Sequence, residues 1–323
     1  MKLSRKISTI IFTVLVILTS FILYTKGIQR PNNYVGEEYF KEIVINKGDS
    51  VEDIANLLVK EKLINSKIWF KMYALFGRKS LQAGNFFVPT NINVIEVTKL
   101  LGKGTFQKRL TFLEGWRIEQ MAEILPKGIQ NDFLASSYTK EGFMFPDTYF
   151  FLEDVSGEDI AKTLSQNFDE KIKSLKNDID KSFLSLEEII TIASIVEREA
   201  KDFNDKTIIA GILIKRYEND WPLQADATIQ YAKDSNAFTC SSLSDCVWWN
   251  PLSANDLSVE SSYNTYKYAG LPPTPICNPG LSSITAVLEY KETLYWFYLT
   301  DNDGMTHYSK TIEEHNENIR KHL

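Results

Sequence analysis

The sequence is poor in the residues that build metal centres. It has three histidines, all beyond residue 300, and three cysteines, Cys240, Cys246 and Cys277. Zinc- and iron-type sites draw three or four such ligands from short spacings, so neither a metal nor another cofactor is expected. A basic stripe is missing as well. Thirty-six Lys and Arg are interspersed among 42 Asp and Glu for a net charge of −6, and without a concentrated positive face a nucleic-acid partner is not expected. No internal repeat or low-complexity tract stands out, which excludes a solenoid. Cysteine is too scarce for a disulfide framework. At most TCSSLSDC, residues 239 to 246, closes a small loop between Cys240 and Cys246 in an oxidising compartment, leaving Cys277 over.

Long apolar runs are also few, and the one that exists lies near the start. Ile7 to Thr25 carries no charge and follows Lys2, Arg5 and Lys6. Its 19 residues span about 28 Å as a helix, close to the hydrocarbon thickness of a bilayer. Ile22-Leu-Tyr-Thr-Lys26 offers no small-residue cleavage site. Residues 1–30 therefore read as a cytoplasmic stub and single transmembrane anchor. By the positive-inside rule the rest is extracytoplasmic, on the outer side of the cell (inner or cytoplasmic) membrane.

The remaining chain is long enough for two domains, each with its own core. In the first, residues 36–105, Phe40 to Asn46 alternates as a strand, Lys47-Gly-Asp is a turn, and Ser50-Val-Glu-Asp opens a helix through Leu58. A helix over 68–76, a strand over 81–88 and a helix over 92–101 complete a βααβα unit. IVINKGDSVEDIANLL resembles the opening of a LysM-like module, which implies binding to glycan containing N-acetylglucosamine. A plain spacer is the other reading.

The second domain, residues 106–323, holds the unusual residues in an α+β pattern. Ser185 with Glu188 is a capping box, and Leu186 to Ala200 lacks Gly and Pro, predicting about four turns of helix. Its apolar arc comprises Leu186, Ile189, Ile190, Ile192, Ala193, Val196 and Ala200, with Thr191, Ser194 and Arg198 on the other side. Glu197 falls on the border, next to Ala193 and Ala200. Partial desolvation there would raise its pKa toward that of a general acid, although a solvated helix end is equally ordinary. Glu199 points elsewhere and, like Arg198, reads as surface. Glu141 to Phe150 packs four aromatics around a Gly and a Pro, as a sugar-stacking surface or as core. Asp226 is either a second carboxylate or the cap of a helix starting at Ala227. Gly270 to Gly280 is a proline-rich, rigid loop, and further helices are predicted near 157–175, 205–217 and 311–322.

EGFMFPDTY at 141–149, ASIVERE at 193–199, LQADATIQYA at 223–232, YNTYKYAGLPPTPICNPG at 263–280 and HYSKTIEEHN at 307–316 resemble, in order and spacing, the endolytic murein transglycosylases of the YceG-like family. The resemblance covers most of residues 106–323. It implies a membrane-anchored lyase that cuts nascent peptidoglycan between N-acetylmuramic acid and N-acetylglucosamine, leaving 1,6-anhydro ends and possible strand termination, with peptidoglycan synthases as partners. Carried over by position, Glu197 is the catalytic acid and base, and Gln224, Asp226, Tyr263, Asn264 and Tyr266 hold the sugar. Departures are Ala227, where the family has Pro, the loop 232–262, and the thiol of Cys277. Two other functions fit the residues: a lysozyme-like hydrolase using Glu197 with Asp226, and a non-catalytic glycan-binding scaffold.

Overall fold

The computed structural model describes residues 40–76, 80–90, 92–103, 107–152, 154–236 and 243–323. It is a mixed α+β structure with small two-stranded sheets. The predicted span Ile7 to Thr25 lies outside the described residues, among which no helix is long and apolar enough to cross a membrane. By packing, the chain forms two units: one reaches Arg109 and takes in Tyr149–Glu153, and the other comprises Leu110–Thr148 and Asp154–Leu323.

The first unit has the predicted βααβα order: β1 (Phe40–Ile45), α1 (Val51–Lys60), α2 (Lys67–Phe76), β2 (Gly84–Pro89) and α3 (Val94–Lys103). The strands pair antiparallel, with Ile43 opposite Phe86. Their period-two alternation turns Ile43, Ile45, Phe86 and Val88 into a core closed by Leu58, Phe70 and Leu101. Ser50 and Asp53 form the expected capping box on α1. At α3 it is Asn93 that caps, its Oδ1 accepting the amides of Ile95 and Glu96, which places the start of the helix two residues past the predicted one.

β3 (Gln107–Thr111) pairs with β4 (Thr148–Leu152), and the division between the units falls within both strands. Between them run α4 (Ile118–Glu123) and α5 (Lys127–Ser137), the latter not foreseen from sequence. The aromatic stretch after Glu141 resolves largely as packing. Met144, Phe145, Tyr149 and Phe151 are buried, and Phe150 stacks on Phe87 with ring centroids 3.8 Å apart.

The second unit continues with α6 (Gly157–Ile179), α7 (Leu186–Glu199), α8 (Phe203–Glu218), α9 (Asp226–Asn236), α10 (Leu281–Leu288), the hairpin β5 (Phe297–Thr300) and β6 (Thr306–Ser309), and α11 (Ile312–His322). α7 begins as predicted, with a Ser185–Glu188 capping box. Its two-faced character does not hold. Every residue from Ile189 to Val196 is buried, Thr191 and Ser194 included, so α7 is a central helix packed by α8 and α10. The hydroxyls that suggested a wet face are satisfied locally. Thr191 Oγ1 donates to the Glu187 carbonyl at 2.7 Å and Ser194 Oγ to that of Thr191 at 2.7 Å, while Ser194 also accepts the Ile276 amide at 3.0 Å. That last bond ties the proline-rich loop to α7.

Among the cysteines, Cys277 is free and buried, and Cys246 is disulfide-bonded. The expected partner, Cys240, lies outside the described residues.

Candidate active site

Glu197 sits in the last turn of α7, where the helix dipole is unfavourable to a negative charge. Neighbouring segments reverse that. Lys206, on the first turn of α8 and itself buried, donates to Oε1 at 3.0 Å. Oε2 accepts the Gly280 amide at 2.9 Å and the Ser283 hydroxyl at 2.8 Å. Gly280 is the N-cap of α10, so the carboxylate of one helix C-terminus lies at the electropositive N-terminus of another. With its side chain 8% exposed, Glu197 is far from the solvated helix end that its sequence context allowed.

A second carboxyl stands beside it. Glu114 occupies the space above Gly280: a Cβ built there would lie 1.8 Å from Glu114 Oε1. Its side chain is exposed, yet local burial, then the charge of Glu197, raise its pKa. What holds the two segments together is Asn278, which is fully buried. Its Nδ2 donates to the Trp116 carbonyl at 3.0 Å and to Glu141 Oε1 at 2.8 Å, and its Oδ1 accepts the amides of Gly142 and Met144, both at 2.9 Å. Backbone bonds from Gly115 to Asn278 and from Asn278 to Trp116, each 2.9 Å, complete the clamp. Glu141 beneath it is pushed up to about 8 by burial, with Glu119 adding to the rise.

Of the other residues singled out by sequence, Gln224 and Asp226 share a loop surface with Tyr263 to Tyr266. Gln224 is exposed, in the left-handed region at φ 52°, and its amide donates to the Thr265 carbonyl at 3.0 Å. Asp226 is the first residue of α9, one position ahead of the predicted start, and its Oδ1 accepts the Tyr266 hydroxyl at 2.7 Å. Tyr263 shares a 2.6 Å hydrogen bond with Thr274 and packs on Tyr231. Asn264 is wholly buried and engaged with its own loop, donating to the Leu257 and Val259 carbonyls and accepting the Tyr266 and Lys267 amides. Its side chain shapes the loop that carries the two tyrosines.

This group reaches the end of α7 through Glu199, which sequence reasoning sent to the surface. Burial, then the charge of Asp226, push Glu199 up to about 7, opposed by its hydrogen bond with Tyr298 and by Arg198 and Arg216. Arg198 is exposed and lies over the Trp249 ring at 4.1 Å.

Sequence reasoning also missed Glu114, Lys206, Asn278, Gly280 and Ser283. Glu114 and Gly115 were legible only as the link between a strand over 108–112 and the helix after it, and Gly280 only as the end of a proline-rich loop. For metal ligation, the group among the described residues with donor atoms in mutual reach is Asp301, His307 and His322, within 4.8 Å. His307 is hydrogen-bonded to Asp301 at 2.7 Å and stacked on His322. It is carried on the β5–β6 hairpin and α11, which give Glu197 none of its partners.

This geometry defines a class: a mixed α+β protein in which one helix-borne carboxylate is held by a lysine, a helix N-terminus and a hydroxyl, with a second carboxyl at its side. The chain belongs to the YceG-like family, which it matches over residues 43–321. The endolytic murein transglycosylase of Bacillus subtilis (strain 168) is 29% identical, over 95% of this chain and 91% of the relative. That of Streptococcus pneumoniae serotype 2 (strain D39 / NCTC 7466) is 25% identical, over 86% of this chain and 58% of the relative. A crystal structure of a yceG-like protein from Listeria monocytogenes superposes with a TM-score of 0.55 at 29% identity, covering 86% of this chain and 98% of that one.

Proposed function

We propose that this protein is a peptidoglycan lytic transglycosylase, a lyase that cuts glycan strands within their length between N-acetylmuramic acid and N-acetylglucosamine. The observation that carries the reading is Glu197, a nearly buried carboxylate with three donors converging on it, in a chain whose relatives bear that activity in their names. The muramic acid's own C6 hydroxyl attacks C1 as Glu197 takes its proton. A proton from the carboxyls of the same site reaches the departing glycosidic oxygen, and the product ends in a 1,6-anhydro ring. An intramolecular nucleophile gains from proximity what water must supply by diffusion.

Gln224, Asp226, Tyr263 and Tyr266 line the sugar path, with Asn264 shaping their loop. The layout is an anchor over residues 1–30, a LysM-like unit over 36–105 that grips or spaces the strand, and a catalytic domain over 106–323. Ile7 to Thr25 holds the chain in the cell membrane with its domains outside, where nascent strands leave peptidoglycan synthases and a cut would end their elongation.

The test is product analysis in heavy-oxygen water. Anhydro-ended fragments without solvent label are expected, and Glu197→Gln should abolish them while leaving glycan binding. Labelled reducing ends would make the protein a hydrolase, and undiminished cutting by Glu197→Gln would remove Glu197 from the mechanism.

A further inference from the structure

The resting geometry leaves Glu197 badly placed to carry a proton. Oε1 faces the Lys206 ammonium, and Oε2 faces the Gly280 amide and the Ser283 hydroxyl. A proton on Oε1 would point at a cation, and one on Oε2 would meet the Gly280 N–H and require at least the Ser283 hydroxyl to turn. The site is completed for an anion. Cleavage of a glycosidic bond nevertheless needs an acid for the leaving oxygen, because an alkoxide is a poor leaving group.

Glu114 meets the requirements for that acid. Glu114 is an exposed residue, so a strand can touch it. Its carboxyl lies directly above Gly280, the residue whose amide holds Glu197, so both carboxyls flank a single glycine. The charged groups acting on it are Glu197 from α7, Lys206 from α8 and Asp147 from the segment before β4. Burial first, then the two carboxylates, favour its protonated form, and the lysine opposes it. Arg198 reaches the neighbouring Gly115, where a Cβ would lie 3.4 Å from its Nη1. A carboxyl of raised pKa beside a second carboxyl is how acid and base are divided in other glycan-cutting sites.

We propose that Glu114 is a second catalytic carboxyl and the general acid of this site, leaving Glu197 as its base. This rests on the reading of the site as glycan-cutting and divides its proton traffic. The Glu114 carboxyl gives its proton to the glycosidic oxygen as the C1–O bond breaks. Glu197 takes the proton of the C6 hydroxyl as the C1–O6 bond forms. The cycle then leaves Glu197 protonated and Glu114 ionised, and transfer of that proton from one to the other, directly or through a water, restores the starting state with no other reactant consumed.

The experiment compares full-length wild type, Glu114→Gln and Glu197→Gln on two substrates. One is natural glycan. The other is a muramic-acid-containing saccharide with a nitrophenyl leaving group, which departs without protonation. Glu114→Gln should lose about 10²- to 10⁴-fold on glycan, stay within a few-fold of wild type on the aryl substrate, and lack the alkaline limb of the pH–rate profile. Glu197→Gln should fail on both. Equal losses by Glu114→Gln on both substrates, or none on either, would overturn the assignment of the acid. Undiminished cutting of glycan by Glu197→Gln would instead remove Glu197 from the mechanism, and wild type that cuts neither substrate would overturn the proposed function itself.

Discussion

Gly280→Ala tests whether the two carboxyls must share the space above one glycine. The backbone tolerates the change, since Gly280 lies at φ −75° and ψ 167°, a conformation open to any residue. The added methyl carbon would fall 1.8 Å from Glu114 Oε1 and 2.0 Å from its Cδ, where ordinary contact begins at 3.4 Å. Glu114 must therefore withdraw by well over an ångström, and as an exposed side chain it can do so at little cost in stability. For a reacting group, a misplacement of about 1 Å costs on the order of 100-fold in rate. Activity on purified glycan strands, quantified as anhydro-ended fragments, should thus fall about 100-fold while the thermal midpoint moves by no more than a few degrees. A variant with wild-type activity would show that Glu114 need not stand where it does. One that unfolds would show the clash falls on the clamp rather than on a movable carboxyl.

Three further outcomes follow from the bonds around Glu197 and Asn278. Lys206→Met leaves the Glu197 charge nearly buried without its cation and should cost about 3–5 kcal/mol of stability, with Glu197→Gln in the same chain restoring part of it; denaturant titration of the single and double variants measures both. Ser283→Ala removes one of the three donors to the nearly buried Glu197 carboxylate and should cost about 1.5–3 kcal/mol of stability in the same titration, as loss of a charged hydrogen bond does, while slowing strand cutting. Glu141, pushed up to about 8 from 4.5, binds its proton more tightly in the folded chain. Its contribution to stability is therefore whole at low pH and drains as pH rises from about 4.5 to about 8. Glu141→Gln should flatten that part of the stability–pH curve, and a curve parallel to wild type would refute it.

The elements with local signatures were legible in the sequence. The capping boxes at Ser50 and Ser185 and the alternation through β1 placed helices and strand within a residue or two, because those signals act over single turns. What failed was anything set by a distant partner. Thr191 and Ser194 looked like a wet face because the sequence does not reveal that residues 276 and 277 come to cover α7. Glu199 looked like surface for the same reason, its company being Asp226, Tyr298 and Arg216. At the site, Glu197 could be picked out by helix position and family resemblance, but its donors come from the next helix and, 83 and 86 residues further on, from the N-cap and first turn of α10. Glu114 lies as far before Glu197 in sequence as Gly280 lies after it, and the Asn278 clamp holds its segment against the Gly280 loop.

That clamp also sets when the protein can become active during its own synthesis. Asn278 joins backbone and side-chain groups at residues 116, 141, 142 and 144, all made well before it. A nascent chain that has passed Glu197 but not yet reached Gly280 and Ser283 holds that carboxylate without two of its three donors and without Glu114 fixed above Gly280. Molecules that stop short of Ser283 would therefore be inert, so cutting waits until the chain has been made at least that far.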